Sequence, residues 1–258
     1  MKKTLIALMA LAGMATAGDI TEGLAAVWTF DNGSTDYVSY TGVTGNVATG
    51  ITDNHKNATG GIDNNGYIST NVGGFIDFYD GFGKFGVAGD SFTLSFKVKG
   101  VTADYRSMFS MKIAGMNEQL QFQTGNDGYT YLYGSGITFT DTGVKTALRS
   151  ETWNNIVLTG DGESLTLYIN GTSVSAAYTP TADALISNFQ LGSTWGDGQR
   201  KVDADMDDLA IWNRVLSTEE IAALTSGSTA LNVVVPEPTT ATLSLLALAG
   251  LAARRRRK

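Results

Sequence analysis

An all-β sandwich of two antiparallel sheets is the fold class this sequence predicts, on three observations. Phe92, Leu94, Phe96 and Val98 alternate strictly with polar residues, the period of a strand with one buried face. Asn155–Thr159 and Ser164–Gly171 flank Asp161-Gly162, a hairpin turn signal, with Leu165, Leu167 and Ile169 inward and Thr166 and Tyr168 outward. Many further short apolar runs are separated by turns rich in Gly, Asn and Asp, as in a sandwich.

In chain order, the predicted strands begin with Ala25–Phe30, Gly74–Phe78, Phe92–Lys99, Ser107–Lys112, Gln119–Gln123 and Tyr129–Tyr133. The hairpin follows, then a short strand near Ser173–Ala176 after the turn Asn170-Gly171, then Asn188–Leu191 and Met206–Trp212. Trp28, Trp153 and Trp212 sit in or beside these patterns and are assigned to core packing. One short helix is predicted near the domain's C-terminus. Ser217-Thr218-Glu219-Glu220 is a capping box, and Ile221 and Leu224 give the helix an apolar side.

The chain ends carry signals of their own. Lys2 and Lys3 precede an apolar run from Leu5 to Met14, and Ala15-Thr16-Ala17 is a small-x-small pattern. That is a secretory signal peptide, with cutting expected before Gly18 by signal peptidase. At the other end stand Pro236-Glu237-Pro238, an uncharged run over residues 239–253, and Arg254-Arg255-Arg256-Arg257-Lys258. As a helix the run would measure roughly 22 Å, short of a bilayer core of about 30 Å. The basic end should stay in the cytoplasm. This three-part tail resembles the PEP-CTERM sorting signal of exported bacterial proteins. The resemblance implies a transient inner-membrane stage and cleavage near the motif by an exosortase; the plain alternative is an uncut anchor. The chain therefore divides into a signal peptide (1–17), a β domain (18–225), a linker (226–235) and a sorting segment with its hydrophobic helix (236–258).

Composition narrows the partners. The formal charge is −7. Loss of Lys2, Lys3 and the five terminal basic residues takes the cations from 18 to 11 against 25 anions, or 24 if Glu237 leaves too, so the mature chain carries −14 to −13. Nucleic acid is excluded as a partner, since phosphate binding needs basic patches. There is no Cys, hence no disulfide framework.

Two blocks narrow the fold further. Trp153-Asn154-Asn155-Ile156-Val157-Leu158-Thr159, Asp161-Gly162 and Leu167-Tyr168-Ile169-Asn170-Gly171 form one. Met206-Asp207-Asp208-Leu209-Ala210-Ile211-Trp212-Asn213-Arg214-Val215-Leu216-Ser217-Thr218-Glu219-Glu220-Ile221 is the other. Together they resemble the central hairpin, and the terminal strand and helix, of laminin-G-like domains; Trp28-Thr29-Phe30-Asp31 fits the first strand more loosely. The resemblance implies a concanavalin A-like jelly roll.

Acidic residues are densest at Asp203, Asp205, Asp207 and Asp208. A strand extended back to Asp203 would put Asp203, Asp205 and Asp207 on the face of Leu209 and Ile211. Asp207 would then be a carboxylate at an inner edge, needing either donors or a cation. Related jelly rolls hold structural calcium with a side chain from this position. The resemblance implies Asp207 as first ligand, then Asp31 and Asp36, with backbone carbonyls and water completing the shell. The competing reading is that Asp207 caps loop N–H groups without metal. An EF-hand is excluded, because position six of Asp203-x-Asp205-x-Asp207 is Asp208, not Gly, and position twelve is Arg214, not Glu.

Catalysis has little to stand on. Glycosidases of this fold use paired carboxylates about 5–5.5 Å apart. The glutamates are Glu22, Glu118, Glu151, Glu163, Glu219, Glu220 and Glu237, and none pair at same-face strand spacing. His55, the sole histidine, lies in the Gly- and Asn-rich stretch 52–66, read as a solvated loop. For ligand stacking the best exposed candidate is Trp195, in the Gly-rich stretch 192–198, and Tyr129, Tyr131 and Tyr133 alternate along one strand. The expectation is an exported, non-catalytic envelope or matrix protein that binds a glycan or protein partner. The alternatives are a structural matrix component and a divergent glycan-active enzyme.

Overall fold

A computed structural model of the chain describes residues 20–33, 36–44, 54–56, 60–62, 65–70, 75–78, 80–116, 119–125, 129–134, 137–145, 147–193 and 200–231. The signal peptide, Trp195 and the sorting motif Pro236, Glu237 and Pro238 lie outside these residues. The strands are β1 (Leu24–Trp28), β2 (Tyr37–Ser39), β3 (Asn54–Lys56), β4 (Tyr67–Ser69), β5 (Ile76–Phe78), β6 (Phe92–Lys99), β7 (Ser107–Ile113) and β8 (Leu120–Thr124). They continue as β9 (Tyr129–Gly134), β10 (Ile137–Lys145), β11 (Asn154–Gly160), β12 (Ser164–Ile169), β13 (Thr172–Ala177), β14 (Ile186–Leu191) and β15 (Asp205–Trp212), followed by helix α1 (Thr218–Thr225). Among the described residues no helix is long and apolar enough to cross a membrane.

Two antiparallel sheets result. The larger runs β13-β12-β11-β6-β15-β1-β2, with the β3–β4 pair joined to β15; the smaller runs β10-β9-β8-β7-β14-β5. The hairpin read at Asp161-Gly162 is present, with Val157 opposite Tyr168 and Leu158 opposite Leu167. Between the sheets, Phe92, Leu94, Phe96 and Val98 of β6 pack with Phe109, Phe122, Phe189 and Leu191 from the smaller sheet. These side chains are buried to 1 % exposure or less, the apolar surface that drives the layers together.

A second apolar cluster lies on the outer face of the larger sheet. Val27, Val157, Ala210 and Trp212 meet Ile221 and Leu224 of α1, and Ile20, ahead of β1, and Ala230, beyond α1, join them. This explains why β6 is buried on both faces, Thr93, Ser95 and Lys97 included. The capping box at Ser217 and Glu220 is formed in both directions. Lys97 serves the other end of the helix. Its Nζ donates to Leu224 O at 3.2 Å, Ser228 O at 2.8 Å and Asn155 Oδ1 at 2.7 Å, placing a cation against the helix C-terminus. The packed unit thus runs on to Ala230, into the stretch read as linker.

Three readings change in the structure. Strands β2, β3, β4 and β10 were not legible as such; β2 to β4 are three residues each, too short to show a period. His55 belongs to β3, whose backbone pairs with β4, rather than to a loop. Most consequential, the facing of β15 reverses midway. Its pairing with β6 shifts register between Asp207 and Ala210, and Asp208 has φ 50°. One extra residue in a strand flips the alternation beyond it. Ala204 and Met206 face the core before the shift, and Leu209 and Ile211 after it. Asp207 therefore lies on the outer face, across from Lys97, not on the face of Leu209 and Ile211.

Candidate functional site: a buried aspartate at the rim of the larger sheet

The sheet puts Asp207 where its carboxylate is almost sealed, at 1 % exposure. Oδ2 accepts from Ile62 N at 2.8 Å and Oδ1 from Asp208 N at 2.9 Å. Burial pushes its pKa up to about 8, and the nearby Asp208 and Asp31 charges add to the rise, while the two N–H donors hold it back.

The strand before it builds a wall. Lys99 lies with Nζ 4.6 Å from the ring centre of Trp153 and 5.0 Å from that of Tyr67, the two rings edge-to-face at 5.6 Å. Lys99 Nζ is also 3.9 Å from Asp205 Oδ2 and donates to Gly60 O at 3.4 Å. Trp153 Nε1 donates to the same Gly60 carbonyl at 2.9 Å. Gly60 to Ile62 are thus pinned over Asp207 from both sides. Trp153, assigned to core packing from the sequence, is instead a half-buried rim residue, because β11 begins after it at Asn154.

On the other flank, Phe30 has φ 57° and turns the chain sharply after β1, bringing Asp31 near enough to act on Asp207. Asp36 is committed to that turn. Its Oδ2 accepts from Thr29 Oγ1 at 3.0 Å, Asn32 N at 3.2 Å and Asn32 Nδ2 at 3.3 Å. Asp207 therefore feels the charge of Asp31, while Asp36 has a separate task. Among the described residues no three His, Cys, Asp or Glu side chains converge on one metal-sized point.

A pH dependence follows from Asp207. Its folded pKa lies above the ordinary 3.8, so the folded state binds the extra proton and stability is fullest below that value. In chelator, stability should fall as pH rises from about 4 to about 8, at up to about 1.4 kcal/mol per pH unit. Asp207→Asn, which mimics the protonated form, should flatten that window in denaturant titrations. A wild type already flat across it would mean that the folded carboxyl ionises normally.

The outward face of the smaller sheet was missed from sequence. Asp77 of β5 pairs with Gln190 of β14, Gln190 with Ser110 of β7, and Ser110 with Gln121 of β8. The neighbouring register positions, Phe78, Phe189, Met111 and Leu120, face the core. The polar row therefore points the other way. Amides alternating with core aromatics, at Gln121-Phe122-Gln123 and Asn188-Phe189-Gln190, were the available signal. Of the three tyrosines on β9, Tyr131 is half-buried and paired with Gln123.

The chain matches the family described as the concanavalin A-like lectin/glucanases superfamily over residues 63–222, and the PEP-CTERM protein-sorting motif over residues 234–258. No curated protein matches. Domain 4 of AbnA, an extracellular arabinanase from Geobacillus stearothermophilus, solved in complex with arabinotriose, is 22% identical. That match covers 79% of this chain and 98% of that one, with a TM-score of 0.60. Trypanosoma rangeli sialidase is 17% identical over 80% of this chain and 33% of its own length, with a TM-score of 0.54. The chain thus spans a third of that enzyme, and at these identities the likeness is one of fold.

Proposed function

This chain belongs to the concanavalin A-like lectin/glucanases superfamily, and from that membership we propose that its domain recognises a glycan without cleaving it. Its PEP-CTERM motif implies export to the cell envelope or surface and processing by an exosortase. The observation that carries the binding reading is Asp207, a carboxylate sealed at a rim beside two further acids. Such a group has a use when a cation and a ligand's hydroxyls reach it. The complex of a similar domain with arabinotriose supports a sugar as ligand. Among residues whose side chains are described, the outward row of the smaller sheet carries a single carboxylate, Asp77, where a retaining glycosidase needs a close pair. The mature charge of −14 to −13 favours neutral or cation-bridged glycans.

Calcium is part of the proposal. Asp207 and Asp31 would hold it, and backbone carbonyls and water would complete the shell. The like charges that raise the Asp207 pKa are the condition a divalent cation relieves. Bound there, it would neutralise the acids and offer a coordination position to sugar hydroxyls.

A panel of oligosaccharides including arabinotriose, titrated with calcium and with chelator, tests the reading. Saturable, calcium-dependent binding with no release of reducing ends is the expected result. Silence across the panel would leave a structural matrix component, and product release would make the domain an enzyme. For the ends of the chain we propose a transient inner-membrane stop, with removal of residues 1–17 and of the tail near Pro236–Pro238. Intact mass of the protein from its native envelope should start at Gly18 and end near that motif; a stable species ending at Lys258 would establish a plain anchor.

A further inference from the structure

We propose that a clamp at the end of α1 fixes how far the sorting motif stands from the folded domain, and so controls removal of the tail. The proposal rests on the processing reading above. Given an exosortase acting near Pro236–Pro238, it names what sets the length of chain offered to that enzyme.

The clamp joins residues far apart in the chain. Helix α1 ends at Thr225, and Gly227, at φ 116°, turns the chain back. Gly227 N donates to Leu224 O at 3.3 Å and Ser228 N to Ala223 O at 3.2 Å. A helix end leaves carbonyls without partners inside the helix. Lys97, itself 1 % exposed, donates to two carbonyls of this segment, Leu224 O and Ser228 O. Asn155, which accepts from Lys97 Nζ, donates its own Nδ2 to Thr225 O at 3.0 Å. A sealed ammonium is costly without its acceptors, and hydrogen bonds from a charged donor are the stronger kind. Lifting Ser228 away would therefore strand the cation, which holds the clamp shut. Just beyond it, Thr229 and Ala230 are each 6 % exposed, and Ala230 packs in the outer apolar cluster. Leu231 is 52 % exposed, so burial stops within one residue.

The sequence fixes the remaining length. Leu231-Asn232-Val233-Val234-Val235 separate Ala230 from Pro236, five residues that span at most about 17 Å when extended. Val235 and Glu237 each precede a proline, which favours extended backbone. A helix with its side chains is about 10–12 Å thick, so this spacer admits one layer of an enzyme between the domain and the motif. Without Val233–Val235 the spacer would be about 7 Å, too short for any layer. The clamp thus leaves the sorting enzyme enough chain to reach the motif and little more.

Pulse–chase of the full chain in its native host, with intact mass as the readout, tests this. Deleting Val233–Val235 should slow loss of the tail at least tenfold. Replacing them by Ser-Gly-Ser should leave the rate within about twofold of wild type, because length and not sequence is at stake. In the deletion background, Lys97→Met should restore most of the rate by freeing Ser228–Ala230. Ala230→Asp, at the edge of the outer cluster, should restore part of it, and keeps the test open should Lys97→Met not fold. A deletion variant cut at the wild-type rate overturns the proposal. So does a Ser-Gly-Ser variant as slow as the deletion, or a slow deletion that neither clamp variant rescues. A wild type that keeps Lys258 is a different result, the failure of the processing reading itself, and the proposal falls with it.

Discussion

Arg214→Ala should destabilise the domain by about 3 kcal/mol, toward the lower end of what breaking a buried ion pair costs. Glu220 is fully buried, yet its pKa is held down, first by the Arg214 hydrogen bonds and then by the Ser217 donors against burial. Arg214 Nη1 reaches Oε2 at 2.9 Å and Nη2 reaches Oε1 at 2.7 Å, the two-pronged geometry that only a guanidinium supplies. Its Nε donates to Glu22 O at 2.6 Å, so one side chain ties the end of β15, the first turn of α1 and the N-terminal segment. Removing it strands a carboxylate without water. The Arg214 side chain is itself 26% exposed, which is why the lower figure applies. Arg214→Lys should recover only part of the loss. Urea titration reads the effect as a midpoint shift at constant slope; a loss under about 1 kcal/mol would place the pair among ordinary surface bridges.

Trp28→Ala should cost more, about 3–5 kcal/mol. Trp28 is wholly buried where the sheets meet. Its ring stacks on Tyr37 at 5.6 Å, and Phe78 and Phe85 approach edge-on at 4.9 and 5.6 Å. Trp28 Nε1 is buried with no hydrogen-bond partner among the described residues, so Trp28→Phe should recover most of the loss. Trp153→Ala should cost less, about 1–2 kcal/mol, being the loss of a cation–π contact and one hydrogen bond. Equal losses in Trp28→Ala and Trp153→Ala would return Trp153 to the core.

These contrasts mark what could be read from the chain. The central strands were legible because a buried face imposes its period on the residues, as in β6 and β12. The capping box was legible because its chemistry is local. The facing of Asp207 was not: it depends on an extra residue at Asp208, a feature of pairing with β6 that leaves no mark on the alternation pattern. Trp153 sits one residue outside β11, where strand and rim look alike in sequence. Asp31 was legible as a neighbour of Asp207 only through the family resemblance, since a long stretch of chain separates them. The amide row was visible in principle, but an outward glutamine has no meaning until register lines it up with Ser110 and Asp77.

Thermal unfolding of the wild type and of Asp207→Asn at pH 7.5, each with calcium and with chelator, tests most directly whether the rim is a cation site. A cation that binds only the folded state raises stability by about 2.7 kcal/mol at a hundredfold excess over its Kd. The wild type should melt higher in calcium than in chelator, and Asp207→Asn should melt at one temperature in both. A wild type that melts identically in calcium and chelator would contradict it, and Asp207 would then be the cap of the Ile62 and Asp208 N–H groups and nothing more.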